Sequence, residues 1–137
     1  MTKRLSECRA FLAFINHIRV QVGCFLKPVR ELGLGFRSEP LSECGFIDAL
    51  SNSESIYEAY KKSEERLSLS ADERAVLESL FLPFGEGYLE EEIRIIEAAK
   101  EQMEAMCAEL SEKSAKNIKL VTVLSVTAAL ALLLLVI

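Results

Sequence analysis

Residues 86–137 read EGYLEEEIRIIEAAKEQMEAMCAELSEKSAKNIKLVTVLSVTAALALLLLVI, with neither proline nor glycine after Gly87. With both strong helix breakers absent, one helix is free to run from the acidic start to the last residue. About fifty residues of helix make a rod roughly 75 Å long. In its first half Leu89, Ile93, Ile96, Met103, Cys107 and Leu110 hold heptad spacing, with Lys100 and Ser114 in the remaining slots. That half is a seam for packing. In its second half, residues 120–137 carry no charge and only three polar side chains, Thr122, Ser125 and Thr127. Eighteen helical residues span roughly 27 Å, just under a hydrocarbon core of ~30 Å. So wholly apolar a helix, if buried in protein, would need neighbours on every side, and the other 119 residues are too few to supply them. The reading is therefore a transmembrane helix over 120–137, anchored by Leu120, Leu124, Leu130, Leu133 and Ile137.

Working outward, Lys113, Lys116 and Lys119 form a basic juxtamembrane collar over 113–119, within two turns of the apolar boundary. By the positive-inside rule this side is cytoplasmic, which places residues 1–112 in the cytoplasm as a bundle on a single-pass anchor. Composition agrees. The chain has 137 residues, 50% apolar and 27% charged, and a mean hydropathy of +0.21, high for a domain so rich in charge. Without the tail the apolar fraction falls to about 45%, ordinary for one globular domain. Disorder, a disulfide-dense scaffold and a multi-spanning transporter are excluded on these grounds.

The formal charge of −5 divides unevenly: net +5 over residues 1–37, −13 over 38–112 and +3 over 113–137. An acidic balance with a pI near 5.0 argues against nucleic acid as a partner, because phosphate binding needs a basic surface. The basic first segment suits anionic lipid head groups, at about 1 kcal/mol per basic residue near the surface.

The rest of the chain reads as helices. Leu5, Cys8, Leu12, Ile15, Ile18, Val22 and Phe25 alternate three and four apart and form a first seam, expected to stop at Lys27-Pro28. Val29, Leu32 and Phe36 suggest a short stripe, Ser38-Glu39-Pro40 a break, and Leu41 to Leu50 one short apolar piece. Ser51 and Glu54 match a capping box for a helix running to about Arg66, and Ser70 and Glu73 match a second for a helix that Pro83 and Gly85 stop. No alternating run or hairpin turn marks a strand. The expected fold is all-α, an antiparallel helical bundle of about five to six helices with a long last helix continuing into the membrane.

Reactive groupings are missing. The single histidine, His17, lies among Phe, Leu and Ile, and the cysteines at 8, 24, 44 and 107 form no CxxC pair, so small buried hydrophobes are expected. No glycine-rich phosphate loop occurs. Glu90, Glu91 and Glu92 point in three directions on a helix and do not converge on one reacting atom. They are a dipole-stabilised helix start and a candidate contact for a basic partner. No catalytic, cofactor-binding or metal-binding residue is assigned. Two function classes follow: a membrane-tethered scaffold, and a tail-anchored adaptor or lipid-binding module.

Several pieces in order resemble one family. They are Phe14-Ile15-x-x-Ile18-Arg19-x-Gln21-Val22, Phe25-Leu26-x-Pro28-Val29, Phe46-Ile47-Asp48-Ala49-Leu50, Leu69-Ser70-x-x-Glu73, Phe84-Gly85-x-Gly87-Tyr88-x-Glu90-Glu91-Glu92 and Lys116-x-x-Lys119-Leu120. Together they are similar to the stage III sporulation protein AB family, itself similar to the F domain of type II secretion and type IV pilus platform proteins. The resemblance implies a non-enzymatic helical bundle at the mother-cell membrane. There it would be part of the assembly linking mother cell and forespore, a platform for a secretion-type ATPase and a contact for other membrane subunits of the channel. It also implies a membrane helix ahead of the first bundle helix, whereas this sequence begins Met1-Thr2-Lys3-Arg4 at the bundle itself.

Overall fold

A computed structural model describes residues 3–24, 33, 36–84 and 89–136, with the side chains of 22–24, 89, 117–126 and 136 outside the description. Among the described residues there are six α-helices, one 3-10 turn and no strand. They are α1 Lys3–Cys24, α2 Glu39–Glu43, α3 Phe46–Ser51, α4 Ile56–Ser63 followed by the 3-10 turn Glu64–Arg66, α5 Ala71–Phe81 and α6 Leu89–Val136.

Each start has a local cause. Ser38 caps α2 by accepting from the Leu41 N–H, and Pro40 sits in its first turn, where a missing N–H costs nothing; the expected break is thus also a helix start. Leu41 to Leu50 is two helices rather than one piece. Gly45 at φ 86° turns the chain between α2 and α3, a left-handed conformation that glycine adopts without strain. The helix expected from Ser51 and Glu54 starts later: Ser55 caps α4 through the Glu58 N–H, and the Glu58 carboxylate accepts from the Glu54 N–H. The box at Ser70 and Glu73 is complete in both directions, and α5 stops at Leu82, just before Pro83.

α1 and α6 run antiparallel. Arg19 meets Glu97 near one end of the pair and Arg9 meets Ser111 near the other. Along the interface Ile96, Ala99, Met103 and Cys107 of α6 are buried and Ile93 and Leu110 pack at its edge, as the heptad spacing predicts. Removing Ile96 or Met103 from water contributes roughly 1.5–3 kcal/mol each.

α1 buries a wider arc than its seam. Besides Leu5, Cys8, Ile15 and Ile18, it turns Ala10, Phe11 and Phe14 inward. The second set faces the short helices: Phe11 lies 5.3 Å from Phe46 of α3, 6.2 Å from Tyr60 of α4 and 6.3 Å from Phe81 of α5, ring centre to ring centre. α1 is therefore the central element, packed along one face by α6 and along another by the short helices, of which α5 also packs directly on α6. Phe36 packs on Phe14 at 5.4 Å, and Phe84, just past α5, is likewise a partly buried ring packed against the core. Phe25, the stop at Lys27-Pro28, the stripe of Val29 and Leu32, and Gly85 lie outside the described residues, as do the side chains of Val22 and Leu89.

α6 outlasts its partner. Lys113 lines a cavity with Arg4, near the first turn of α1, and the helix continues for 23 residues to Val136, roughly 35 Å further. The described side chains of this extension are 114–116 and 127–135, and all of them but the half-buried Ser114 are exposed. Among the described residues no helix is long and apolar enough to cross a membrane. The described part of the expected span is only 127–135, nine residues of eighteen. Leu130 and Leu133 are 59% and 61% exposed, whereas the side chains of Leu120 and Leu124, and the whole of Ile137, lie outside the description.

Candidate functional site

The antiparallel pairing defines two ends of the bundle. At the end from which the α6 extension leaves, the first turns of α1 meet the start of α5 around one carboxylate. Glu73 is 1% exposed and accepts four hydrogen bonds from three donors: Arg4 Nε at 2.9 and 3.0 Å to its two oxygens, the Cys8 thiol at 3.1 Å and the Ser70 N–H at 2.6 Å. Burial opposes the ionised form, but the Arg4, Ser70 and Cys8 hydrogen bonds outweigh it and hold the carboxyl below its ordinary value. Beside this cluster a cavity of about 160 Å³ is lined by Arg4, Asp72, Glu109 and Lys113 among others.

A larger cavity of about 690 Å³ opens on the other side of the α1 start, between Lys3, Ser6 and Glu7, residues 39–44 and residues 65–68. Its buried charged member is Glu7, 2% exposed, whose carboxylate accepts from the Ser68 N–H.

The lysine collar behaves as surface charge. Lys113 is exposed and pairs with Glu109 at 3.3 Å one turn back, and Lys116 is exposed. The Lys119 side chain lies outside the description. The basic first segment is different, because its cations turn toward the bundle. Lys3 donates to the Arg66 carbonyl, Arg4 to Glu73, Arg9 to Ser111 and Arg19 to Glu97 at 2.7 Å. Arg4 and Arg19 thus answer carboxylates of the acidic middle of the chain, whereas the exposed Lys3 and Arg9 donate to neutral oxygens.

The opposite end carries the acidic run. Glu90 and Glu91 are exposed, and Glu91 has Arg94 at 3.9 Å. Glu92 is 6% exposed, with Leu80, Pro83, Phe84 and Ile95 around it. Because three consecutive helical positions cover a wide arc, one of the three faces the core, and Glu90 and Glu91 are the exposed members of the run.

The described histidine and cysteines are packing groups. His17 packs between Phe14 and Phe36, at 6.3 and 5.1 Å. Cys8, Cys44 and Cys107 are buried free thiols, all pushed up in pKa chiefly by burial, the opposite of what a nucleophile needs. Among the described residues no three His, Cys, Asp or Glu side chains group as a metal site.

Sequence reasoning marked Glu73 as a cap but missed its pairing with Arg4, and missed Glu7 altogether. Their partners lie 69 and 61 residues away, and no local spacing carries that information.

A model of the family Stage III sporulation protein AB matches residues 1–137. The chain belongs to that family. A solved structure titled Stage III sporulation protein AB has the same fold, with a TM-score of 0.66 at 20% identity over 82% of this chain and 96% of its own. No curated protein matches the chain. Membership gives the chain a sporulation-related role, in a family of structural proteins rather than known enzymes.

Proposed function

We propose that this member of the family is a structural subunit of the assembly that joins mother cell and forespore. It would be held in the mother-cell membrane by residues 120–137, with residues 1–112 in the cytoplasm and 113–119 at the interface. The observation that carries the reading is the extension of α6 past the end of α1, apolar, exposed where described and preceded by Lys113 and Lys116. An exposed run of Leu130, Leu132, Leu133, Leu134 and Leu135 is unfavourable in water and favourable in hydrocarbon. In this reading Leu120, Leu124, Leu130, Leu133 and Ile137 contact lipid, and the three lysines set the orientation.

The platform role assigns the far end of the bundle, with Glu90 and Glu91, to a secretion-type ATPase and leaves the membrane segment to other channel subunits. Glu90 stands about thirty residues, or roughly 45 Å of helix, before Leu120, which is reach enough to meet a cytoplasmic partner clear of the bilayer. The test is done in sporulating cells. A fluorescent fusion of the full chain is expected at the membrane and supports spore formation; the same fusion lacking 120–137 is diffuse and does not. Photo-crosslinking from Glu90, Glu91 and Arg94 is expected to capture the ATPase. A truncated chain that still localises and sustains normal spore yield would sink the anchor, and crosslinks to other proteins alone would sink the platform.

A further inference from the structure

The cavity of about 690 Å³ at the start of α1 is lined by two kinds of charge that do not neutralise each other. Lys3 and Glu7, one turn apart on α1, border it with Glu39 and Glu43, one turn apart on α2, and with Glu65 and Arg66. Among the described residues, the side chains of Glu39, Glu43 and Glu65 make no hydrogen bond or ion pair, and no carboxylate lies within ion-pair distance of Lys3 or of the Arg66 guanidinium. Lys3 is instead spent on a backbone carbonyl, 3.3 Å away. Opposite charges around one concave space, with Glu39, Glu43 and Glu65 unbonded and neither Lys3 nor Arg66 paired with a carboxylate among the described residues, suit a ligand that itself carries both signs.

Location narrows the ligand. Lys113 lies beside Arg4, and Leu120 follows seven residues later, so the end of the bundle stands roughly 10 Å of helix above the apolar boundary. That is close to the depth of a head-group layer, ~5–7 Å on each side of the hydrocarbon, and a modest tilt closes the difference.

We propose that this cavity binds the phosphoethanolamine head group of a membrane lipid, an inference that rests on the anchor reading above. Lys3 and Arg66 hold the phosphate, and Glu39, Glu43 and Glu65 accept hydrogen bonds from the primary ammonium. With Glu7 included, four carboxylates face two cations, so a purely anionic head group is disfavoured. A choline head group is disfavoured for another reason: its quaternary nitrogen has no N–H to donate.

The test uses the full chain in detergent, with phosphatidylethanolamine, phosphatidylcholine and phosphatidylglycerol of matched acyl chains offered together and retained lipid counted by native mass spectrometry. Ethanolamine lipid is expected to be retained at least about fivefold over either competitor, and the preference is expected to vanish in Glu39→Gln/Glu43→Gln and in Lys3→Gln/Arg66→Gln. Circular dichroism confirms that the variants fold, since all four side chains are exposed. Equal retention of the three lipids, or a preference that survives both variants, overturns the proposal.

Two further arms separate the readings. Flotation with vesicles of each lipid reports the anchor: a chain that floats with all of them yet shows no ethanolamine preference keeps the anchor and loses the cavity. Titration with soluble glycerophosphoethanolamine identifies the source. Binding of that compound by a chain that floats with no vesicle overturns the lipid assignment.

Discussion

Glu73 ties the start of α5 to the first turns of α1. It closes the capping box of α5, receives the Arg4 guanidinium across 69 residues and takes the Cys8 thiol from the core of α1. Glu73→Ala leaves Arg4, the Ser70 N–H and the thiol without their acceptor, at a cost of about 2–3 kcal/mol in chemical denaturation, moderated by the partial exposure of Arg4. The same group predicts a pH dependence. Its carboxyl is held below the ordinary value in the folded chain, so the stabilisation is fully present above the unfolded carboxyl value of 4.5 and drains away as pH falls below it toward the folded value. Melting temperature is expected to be flat from neutrality to about pH 5 and then to fall, less steeply in Glu73→Gln. An equal fall in both would assign the acid sensitivity elsewhere. Tyr60 is the converse case. It is fully buried among Phe11 and Phe81, and its hydroxyl finds no partner among the described residues. Tyr60→Phe removes an unsatisfied polar atom and keeps the ring, so unfolding should show stability unchanged or raised by up to about 1 kcal/mol.

At the level of the element, α6 is two helices in one. Ile96 and Met103 are completely buried against the bundle, whereas Leu133 and Leu135 stand 61% and 83% exposed. Ile96→Ala is expected to cost about 2–4 kcal/mol in a chain lacking residues 120–137, and Leu133→Ala in the full chain to leave bundle unfolding unchanged while weakening vesicle flotation. A cost at Leu133 equal to that at Ile96 would mean the tail packs on protein. The halves were legible in the sequence because each is a long uninterrupted pattern, a heptad followed by a run without charge. The box at Ser70 was legible for a similar reason, since its whole signature lies within four residues. What escaped had a different physical basis. Gly45 divides α2 from α3 by its backbone angle alone, and no local spacing told which elements the Phe11 and Phe14 face of α1 would meet. α1 is buried on two sides, and a helix surrounded in this way shows no single stripe. Glu92 escaped because a run of like charges reads as surface until the helix axis is placed.

For the whole molecule, the distribution of charge acquires a direction. The net +5 of residues 1–37 and the −13 of 38–112 are neighbours in space, with Arg4 on Glu73 and Arg19 on Glu97 as the junctions. These two ion pairs lower the repulsion within an acidic bundle. The fragment 1–119 still carries net charge −5, since residues 120–137 contribute none. Such a fragment is repelled by an anionic bilayer beyond the reach of its lysines, about 8–10 Å at moderate salt. It is expected to be soluble and helical, to melt as the full bundle melts, and to remain unbound to phosphatidylglycerol vesicles in a flotation assay at 0.1 M salt, whereas the full chain floats. Charge reversal at Lys3, Arg4 and Arg9 separates the two uses of the positive segment. If those cations serve the bundle, reversal lowers the melting temperature and leaves flotation of the full chain intact. If they serve the membrane, the fragment itself floats and reversal abolishes it. That outcome would return the first helix to the bilayer surface and take from α6 its place as the sole tether.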